Sequence, residues 1–155
     1  MTVPFILQWE THGRVTAPLL GLALPPRNAV EQALRASARM QTDEAHPLGC
    51  LVVLSINACS PENRQVLRAE ERQALRAEER QRSRDGLRAC VERAIATGTL
   101  QDSADAAALA AVFDTVLVGL SMQARDHVPL AALDAGISEL MRVWDAIGVR
   151  ASPNA

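Results

Sequence analysis

The residues of this sequence whose types could support a reaction are few and far apart. The three cysteines are Cys50, Cys59 and Cys90, and the three histidines are His12, His46 and His127. An odd number of widely spaced cysteines fits neither a disulfide framework nor a zinc site, and the histidines are too scattered to complete a metal centre. No acid–base pair or activated nucleophile has the spacing that catalysis requires. The sequence therefore predicts a protein that is not an enzyme and that uses no metal or cofactor.

Cys50 stands near the start of an apolar segment, residues 48–59. A thiol at a helix N-terminus ionises more readily, and the thiolate reacts with electrophiles and oxidants. A cysteine buried in apolar surroundings behaves instead as a small hydrophobic residue. We favour the second interpretation and keep the sensing thiol as the alternative.

Polar side chains interrupt two apolar segments. Asp114 lies in the middle of residues 106–124 and shares a helical face with Ser121 and Arg125. An isolated buried carboxylate is costly, so we expect Asp114 to pair with an arginine or to contact a polar group of a ligand. Ser55 and Asn57 interrupt the earlier apolar segment, where they could orient a ligand or form hydrogen bonds between helices.

Charge is balanced along the chain rather than concentrated. There are 16 basic and 18 acidic residues, which gives a net charge of −2 and a pI of about 5.9. Arginines recur every fourth residue from Arg64 to Arg88, but acidic residues interleave with them, and Glu78–Arg82 and Arg88–Glu92 are expected ion pairs at i,i+4 spacing. A solvated helix with ion pairs explains this pattern better than an anion-binding stripe does. We therefore expect this chain alone to make no direct contact with DNA.

The composition predicts one all-α domain. The 155 residues are 48% hydrophobic but only 3% aromatic, so alanine and leucine must build the core, and helices are the natural result. Residues 1–24 are punctuated by proline and glycine and are expected to be irregular, with a short helix over 17–24. Residues 25–148 form the predicted domain, and residues 149–155 form a frayed tail.

Helix-start signals divide the domain. Asn28, with Glu31 three residues later, predicts an N-cap and capping box for a helix that ends near Gln41. Ser60-Pro61-Glu62 predicts the start of a long helix, which Gly98 ends.

Two further helices are predicted after Gly98. Asp102-Ser103 is the predicted cap of a helix over residues 104–125 that is apolar nearly all round. Pro129 is the predicted start of the last helix. Small residues at every fourth position of the first of these helices let another helix approach closely. They are Ala107, Ala111, Thr115 and Gly119.

Residues 48–59 have the features of both a strand and a helix. Leu51-Val52-Val53-Leu54 has the propensity of a buried strand. No second strand is predicted for it to pair with, and a lone strand would leave its backbone groups unpaired. We therefore predict a buried helix here.

A tandem duplication lies within the long helix. Residues 67–74 recur as residues 75–82, with seven of the eight positions identical. Eight residues lengthen a helix by about 12 Å and turn the segment that follows by about 80°. Charged residues dominate this stretch, so we expect its middle part to be solvated. Gly86 does not end the helix but costs about 1 kcal/mol within it.

In their order and spacing, these pieces resemble the C-terminal ligand-binding and dimerisation domain of TetR-type transcriptional repressors. The matching segments are Pro25-Pro26-Arg27-Asn28-Ala29-Val30-Glu31, His46-Pro47-Leu48-Gly49-Cys50-Leu51, Pro61 with the helix after it, Ala94-Ile95-Ala96-Thr97-Gly98-Thr99-Leu100, the alanine-rich helix and the last amphipathic helix. The resemblance implies an all-α bundle of about five to six helices that forms a homodimer through its last two helices. We expect a cytoplasmic protein of bacterial type, because Asp114 argues against a membrane span.

The resemblance also implies two sets of site residues. Those expected to line a pocket for a small, largely apolar effector are Cys50, Leu54, Ser55, Asn57, Phe113 and Asp114. Those expected to form the dimer interface are Ala111, Thr115, Val118, Gly119, Met122, Ile137, Leu140, Met141 and Trp144. Many relatives have an asparagine five residues after the motif glycine, where this chain has Leu54.

The resemblance does not extend to the family's helix-turn-helix. Residues 1–14 are too short for three helices, so the expectation is an effector-sensing and dimerising portion that lacks its own DNA-binding head. The alternative hypothesis is an interaction protein that pairs with full-length relatives and blocks their DNA binding. The duplication lengthens a helix that helps to wall the pocket in the family.

Overall fold

The computed structural model describes residues 15–45, 48–49 and 69–148, and its regular structure there consists of five helices. They are α1 (residues 15–20), α2 (Pro26–Gln41), α3 (Ala69–Ala96), α4 (Ala106–Arg125) and α5 (Leu130–Ile147). An isolated β-bridge joins Leu100 to Gly148. The predicted all-α fold is confirmed. The predicted helix after Gly49, the helix start at Ser60 and the predicted tail lie outside the described residues.

The start of α2 differs from the prediction. Pro25 is the N-cap and Pro26 the first helical residue, because the fixed φ of proline suits the first turn, where a backbone N–H would have no partner. The capping box predicted at Asn28 and Glu31 is therefore wrong, and the Glu31 carboxylate accepts hydrogen bonds from arginines instead. The predicted end near Gln41 is confirmed.

Two other helix ends were also misplaced by the sequence signals. The N-cap of α4 is Asp105, whose Oδ1 accepts a hydrogen bond from the backbone N–H of Ala108 at 3.0 Å. The cap predicted at residues 102–103 is wrong, because those two residues form a turn before the helix. Helix α1 ends at residue 20 rather than 24. The predicted role of Gly98 is confirmed: it follows α3 with a φ of 69°, the left-handed conformation that ends many helices.

Helix α2 contacts α3, α4 and α5, and α3 packs along α4. Arg27 near the start of α2 pairs with Asp145 near the end of α5, while Arg35 pairs with Asp134 near the start of α5. The two helices therefore run antiparallel. The largest fully buried side chains of the core are Trp144, Phe113, Leu34, Leu87, Leu100, Ile137 and Met141.

Helix α3 continues through Gly86, as predicted. This residue is buried, and a Cβ atom built on it would lie 3.0 Å from Cβ of Leu19 in α1. One turn later, the Cys90 thiol donates to the Leu19 carbonyl oxygen at 3.5 Å. The Arg93 guanidinium then donates to two carbonyl oxygens in the turn after α1. This face of α3 therefore docks the end of α1, and Gly86 permits the close approach.

We expect Gly86→Ala to lower the free energy of unfolding by about 1 kcal/mol, because the new methyl group would overlap Leu19 Cβ, which cannot rotate away. In an open helix, glycine to alanine gains about 1 kcal/mol. Urea denaturation measures the difference, and Ala89→Gly, at an exposed position of the same helix, calibrates the propensity effect. A gain for Gly86→Ala equal to the loss for Ala89→Gly would contradict the close approach.

The second copy of the duplication lies in α3, and its described side chains, at residues 77–82, are exposed except for two that are half-buried. The predicted solvation is therefore confirmed for these residues. The ion pair expected between Arg88 and Glu92 is present at 2.7 Å. The pair expected between Glu78 and Arg82 is wrong, because Arg82 bonds to Glu79, three residues before it, at 2.7 Å.

Helix α4 has the length and hydropathy to cross a membrane, judged by composition alone. One such helix is weak support for a membrane span, because core helices of soluble proteins pass the same test. In this bundle, α4 packs against α2 and α3.

Candidate functional site

The outer face of α4 is apolar and exposed. Val112 and Met122 have exposed fractions of 45% and 53%, although both are large hydrophobic residues. Ala111 and Thr115 are also exposed, and all four positions lie opposite the buried side of the helix. Val118 and Gly119 are half-buried on the same side. The five α4 residues predicted for the dimer interface therefore all retain surface in the single chain.

The α5 residues predicted for the interface divide into two groups. Leu140 is half-buried and retains surface. Ile137, Met141 and Trp144 are only 1–2% exposed, because they already pack in the core of their own chain. These three side chains have almost no surface left for direct contact with a partner. Val143, which the sequence analysis did not select, is 43% exposed.

We name one surface of the two helices, made of small and apolar side chains that are exposed or half-buried, the outer face. Its members are Ala111, Val112, Thr115, Val118, Gly119 and Met122 of α4, with Gly136, Leu140 and Val143 of α5. Neither Gly119 nor Gly136 has an atom within 4 Å of a Cβ built on it. The outer face is therefore a surface on which a second helix pair could approach the backbone closely.

Two of the six predicted pocket residues lie in the described part of the chain, both on α4, while Cys50, Leu54, Ser55 and Asn57 lie outside it. Phe113 is fully buried, and its ring lies 5.7 Å from the ring of Trp144, between centroids, at an angle of 52°.

Asp114 is half-buried between the core and the outer face. Burial raises the pKa of its carboxyl above the ordinary value, and the charges of Arg84 and Arg80 on α3 act in the opposite direction. The sequence analysis expected an arginine near Asp114, and these two arginines are the ones that act on it electrostatically. Desolvation has the larger effect, so the ionised carboxylate is not fully compensated in the fold.

We expect Asp114→Asn to stabilise the fold at neutral pH and to have little effect in acid. The folded-state pKa is raised above the ordinary value of 3.8, so the stability associated with the protonated carboxyl is fully present below pH 3.8 and is lost as the pH rises through the folded pKa. Asparagine cannot ionise and avoids that loss. Thermal unfolding of both proteins across this pH range measures the difference, and a gain that does not vary with pH would contradict the assignment.

A polar cluster lies between α2 and α4 in the otherwise apolar core. Ser121 Oγ donates to Gln41 Oε1 at 2.6 Å, and Gln41 Nε2 donates to Ser37 Oγ at 2.5 Å. The three residues are at most 2% exposed. The sequence analysis selected none of them as a site residue, although Ser121 was placed on the face of Asp114. The sequence feature that could have predicted the cluster is a serine and a glutamine four residues apart on the buried face of α2.

An ion-pair network joins the outer sides of α2 and α5. Arg27 bonds to Asp145 with both Nε and Nη2, at 2.6 and 3.0 Å, and to Glu31 at 2.7 Å. Arg35 also bonds to Glu31, at 2.8 Å, and to Asp134 at 3.1 Å. Hydrogen bonds from Arg35 and Arg27 hold the pKa of the Glu31 carboxyl below its usual value, and those from Arg27 do the same for Asp145. The network fixes the register of the two helices.

Cys90 is the cysteine for which the structure describes a side chain, and it is fully buried. Burial raises the pKa of its thiol, and nearby Arg93 opposes this effect. A thiol in this environment stays protonated and unreactive at neutral pH. Within the described residues, no group of three or more histidine, cysteine or acidic side chains is placed to hold a metal ion.

Comparisons with known proteins give two solved structures. No family model matches the sequence, and no curated protein does either. One structure is a double-cysteine variant of the TetR family transcriptional regulator CifR, complexed with 26-base-pair double-strand operator DNA. Its sequence is 35% identical to this chain, and the TM-score is 0.70. The match covers 87% of this chain and 68% of that chain. The other is a triple-cysteine variant of CifR with the same DNA, 33% identical with a TM-score of 0.72, covering 90% and 69%.

Proposed function

This chain belongs to the TetR family of transcriptional regulators, and on that premise we propose that it is the effector-sensing and dimerising portion of such a regulator. It forms a homodimer through the outer face, works in the cytoplasm and carries out no chemistry of its own. Its effector is a small, largely apolar molecule bound among the helices. The observation that carries this proposal is the outer face itself.

The outer face supports self-association because it is mostly apolar and extends over two helices. The charged residues of α4, Asp114 and Arg125, flank it, and the exposed Glu139 of α5 lies one turn before Val143 at its edge. Large exposed apolar patches on soluble proteins mark interaction surfaces. Gly119 and Gly136, where an added Cβ would meet no described atom within 4 Å, suit the close helix packing of a four-helix bundle.

The apolar interior of the bundle supports an apolar effector. The buried residues of α4 include Phe113, Leu117 and Leu120, and those of α2 include Leu34. We retain Phe113 and Asp114 as proposed pocket residues, together with Cys50, Leu54, Ser55 and Asn57. In this proposal, effector binding acts on DNA through the arrangement of the two subunits, and residues 1–155 alone do not contact DNA.

Sedimentation velocity of the 155-residue chain over a range of concentrations tests the proposal. We expect a dimer at micromolar concentration, and a monomer under these conditions would overturn it. The same samples, mixed with duplex DNA at low salt, should show no binding. The hypothesis of a chain that pairs with full-length relatives would use the same outer face, and no described feature favours it over self-association.

A further inference from the structure

We propose that the polar cluster of Ser37, Gln41 and Ser121 recognises a neutral hydrogen-bonding group, a hydroxyl or a carbonyl, on an effector whose remaining surface is apolar. This inference rests on the proposed function, because it names the chemical class of the effector and the residues that select it.

The cluster is unusual for its surroundings. Its neighbours on the buried sides of the two helices are apolar, among them Leu34 and Ala38 on α2 and Leu117 and Leu120 on α4. Taking a hydroxyl or an amide out of water costs free energy unless hydrogen bonds replace the lost water contacts. Apolar side chains of similar volume would fill the same space without that cost. Packing alone therefore does not account for three polar residues at this contact.

The hydrogen bonds of the cluster leave it with further bonding capacity. A glutamine amide carries two N–H donors and an oxygen with two lone pairs. Among the described residues, the side chain of Gln41 uses one donor toward Ser37 and one lone pair toward Ser121. Toward the part of the chain that the structure describes, the amide therefore leaves one donor and one acceptor position unused. Together these match a hydroxyl group, and the donor alone matches a carbonyl oxygen.

Charge determines which ligand groups fit. No described charged side chain hydrogen-bonds to the cluster, so it offers no counter-charge to an ion. Two charged residues share the face of Ser121 on α4: Arg125, one turn after it and exposed, and Asp114, two turns or about 10 Å before it. Neither forms a described hydrogen bond to the cluster. An ionised ligand group placed at the cluster would be buried without a partner, which is strongly unfavourable. The cluster therefore selects a neutral polar group.

The test compares two probes of similar size and shape, cyclohexanol and methylcyclohexane, on the native dimer. The readouts are the side-chain amide resonances of Gln41, assigned through their loss in Gln41→Leu, and the dissociation constant from thermal-shift titration. We expect cyclohexanol to shift these resonances saturably. Ser121→Ala removes one of the two hydrogen bonds that orient the Gln41 amide. It should therefore weaken cyclohexanol binding about fivefold, as for the loss of one neutral hydrogen bond, and should change methylcyclohexane binding by less than about twofold.

Ser37→Ala is the second variant, at the other end of the cluster, and should act in the same direction if Ser121→Ala folds poorly. Ser103→Ala, in an exposed turn, is the matched control and should change neither constant. Gln41 resonances that do not respond to cyclohexanol, or an equal loss for both probes in Ser121→Ala, would show that the cluster only joins two helices. If the protein is a dimer that binds both probes equally, polar recognition by the cluster is overturned and the proposed function stands. If the protein is a monomer, the proposed function is overturned. In that case the response of the Gln41 amide resonances to cyclohexanol still tests the role of the cluster.

Discussion

Thr115→Arg is expected to convert the dimer into a monomer, weakening self-association by about 100-fold or more. Thr115 lies near the middle of the outer face, and its hydroxyl donates to the Ala111 carbonyl oxygen of its own helix at 2.8 Å. In the single chain, an arginine at this exposed position would extend into water. In the dimer, its guanidinium would be buried against an apolar surface with no counter-charge, which costs several kcal/mol. Sedimentation velocity over a range of protein concentrations measures the change.

Gly119→Leu is expected to have opposite effects on the monomer and on the dimer: it should stabilise the first and weaken the second. A Cβ atom added there meets no described atom within 4 Å in the single chain, so leucine should stabilise the monomer by nearly 1 kcal/mol through helix propensity. The same side chain should keep the partner helix at a distance and weaken the dimer. Ala89→Arg, at an exposed position of α3 outside the outer face, is the control and should leave the dimer intact. Unchanged association in Thr115→Arg and Gly119→Leu would place the interface elsewhere.

The helices could be predicted from the sequence because their signals are local. The apolar periodicity of α4 and α5 and the glycine after α3 gave the correct elements, since these depend on residues a few positions apart. Helix starts were less certain, because several polar residues compete to cap one helix. Asp105 caps α4 although Asp102 and Ser103 come first, and Pro26 starts α2 ahead of Asn28.

The candidate site was harder to predict because it depends on which face of each helix meets another. Heptad spacing grouped Ile137, Met141 and Trp144 on one face, but such spacing does not distinguish the core of one chain from the contact between two. In the single chain all three side chains are buried. The polar cluster depends on a contact between residues 80 positions apart, Gln41 and Ser121, which no local pattern shows.

Trp144→Ala is expected to lower the free energy of unfolding by about 4 kcal/mol, the range found when a large aromatic side chain is removed from a core. Trp144 is 2% exposed and packs against Phe113, so few neighbours can move into the space it leaves. A loss of this size approaches the whole stability of a small domain. Urea denaturation followed by circular dichroism measures it. Arg142→Ala, two residues away and exposed, is the control and should change the stability by less than about 0.5 kcal/mol.

Trp144→Phe separates the packing of this ring from its polar atom. Phenylalanine keeps an aromatic ring beside Phe113 but removes the indole Nε1–H, which is buried and has no hydrogen-bond partner among the described residues. An unsatisfied buried donor costs about 1–3 kcal/mol, so its removal should offset much of the volume that is lost. We therefore expect Trp144→Phe to lie within about 1 kcal/mol of the native protein. A loss of unfolding free energy close to that of Trp144→Ala would mean that the indole N–H has an acceptor in solution. The hydrogen-exchange rate of this N–H in the native protein, measured by NMR, would then be slow.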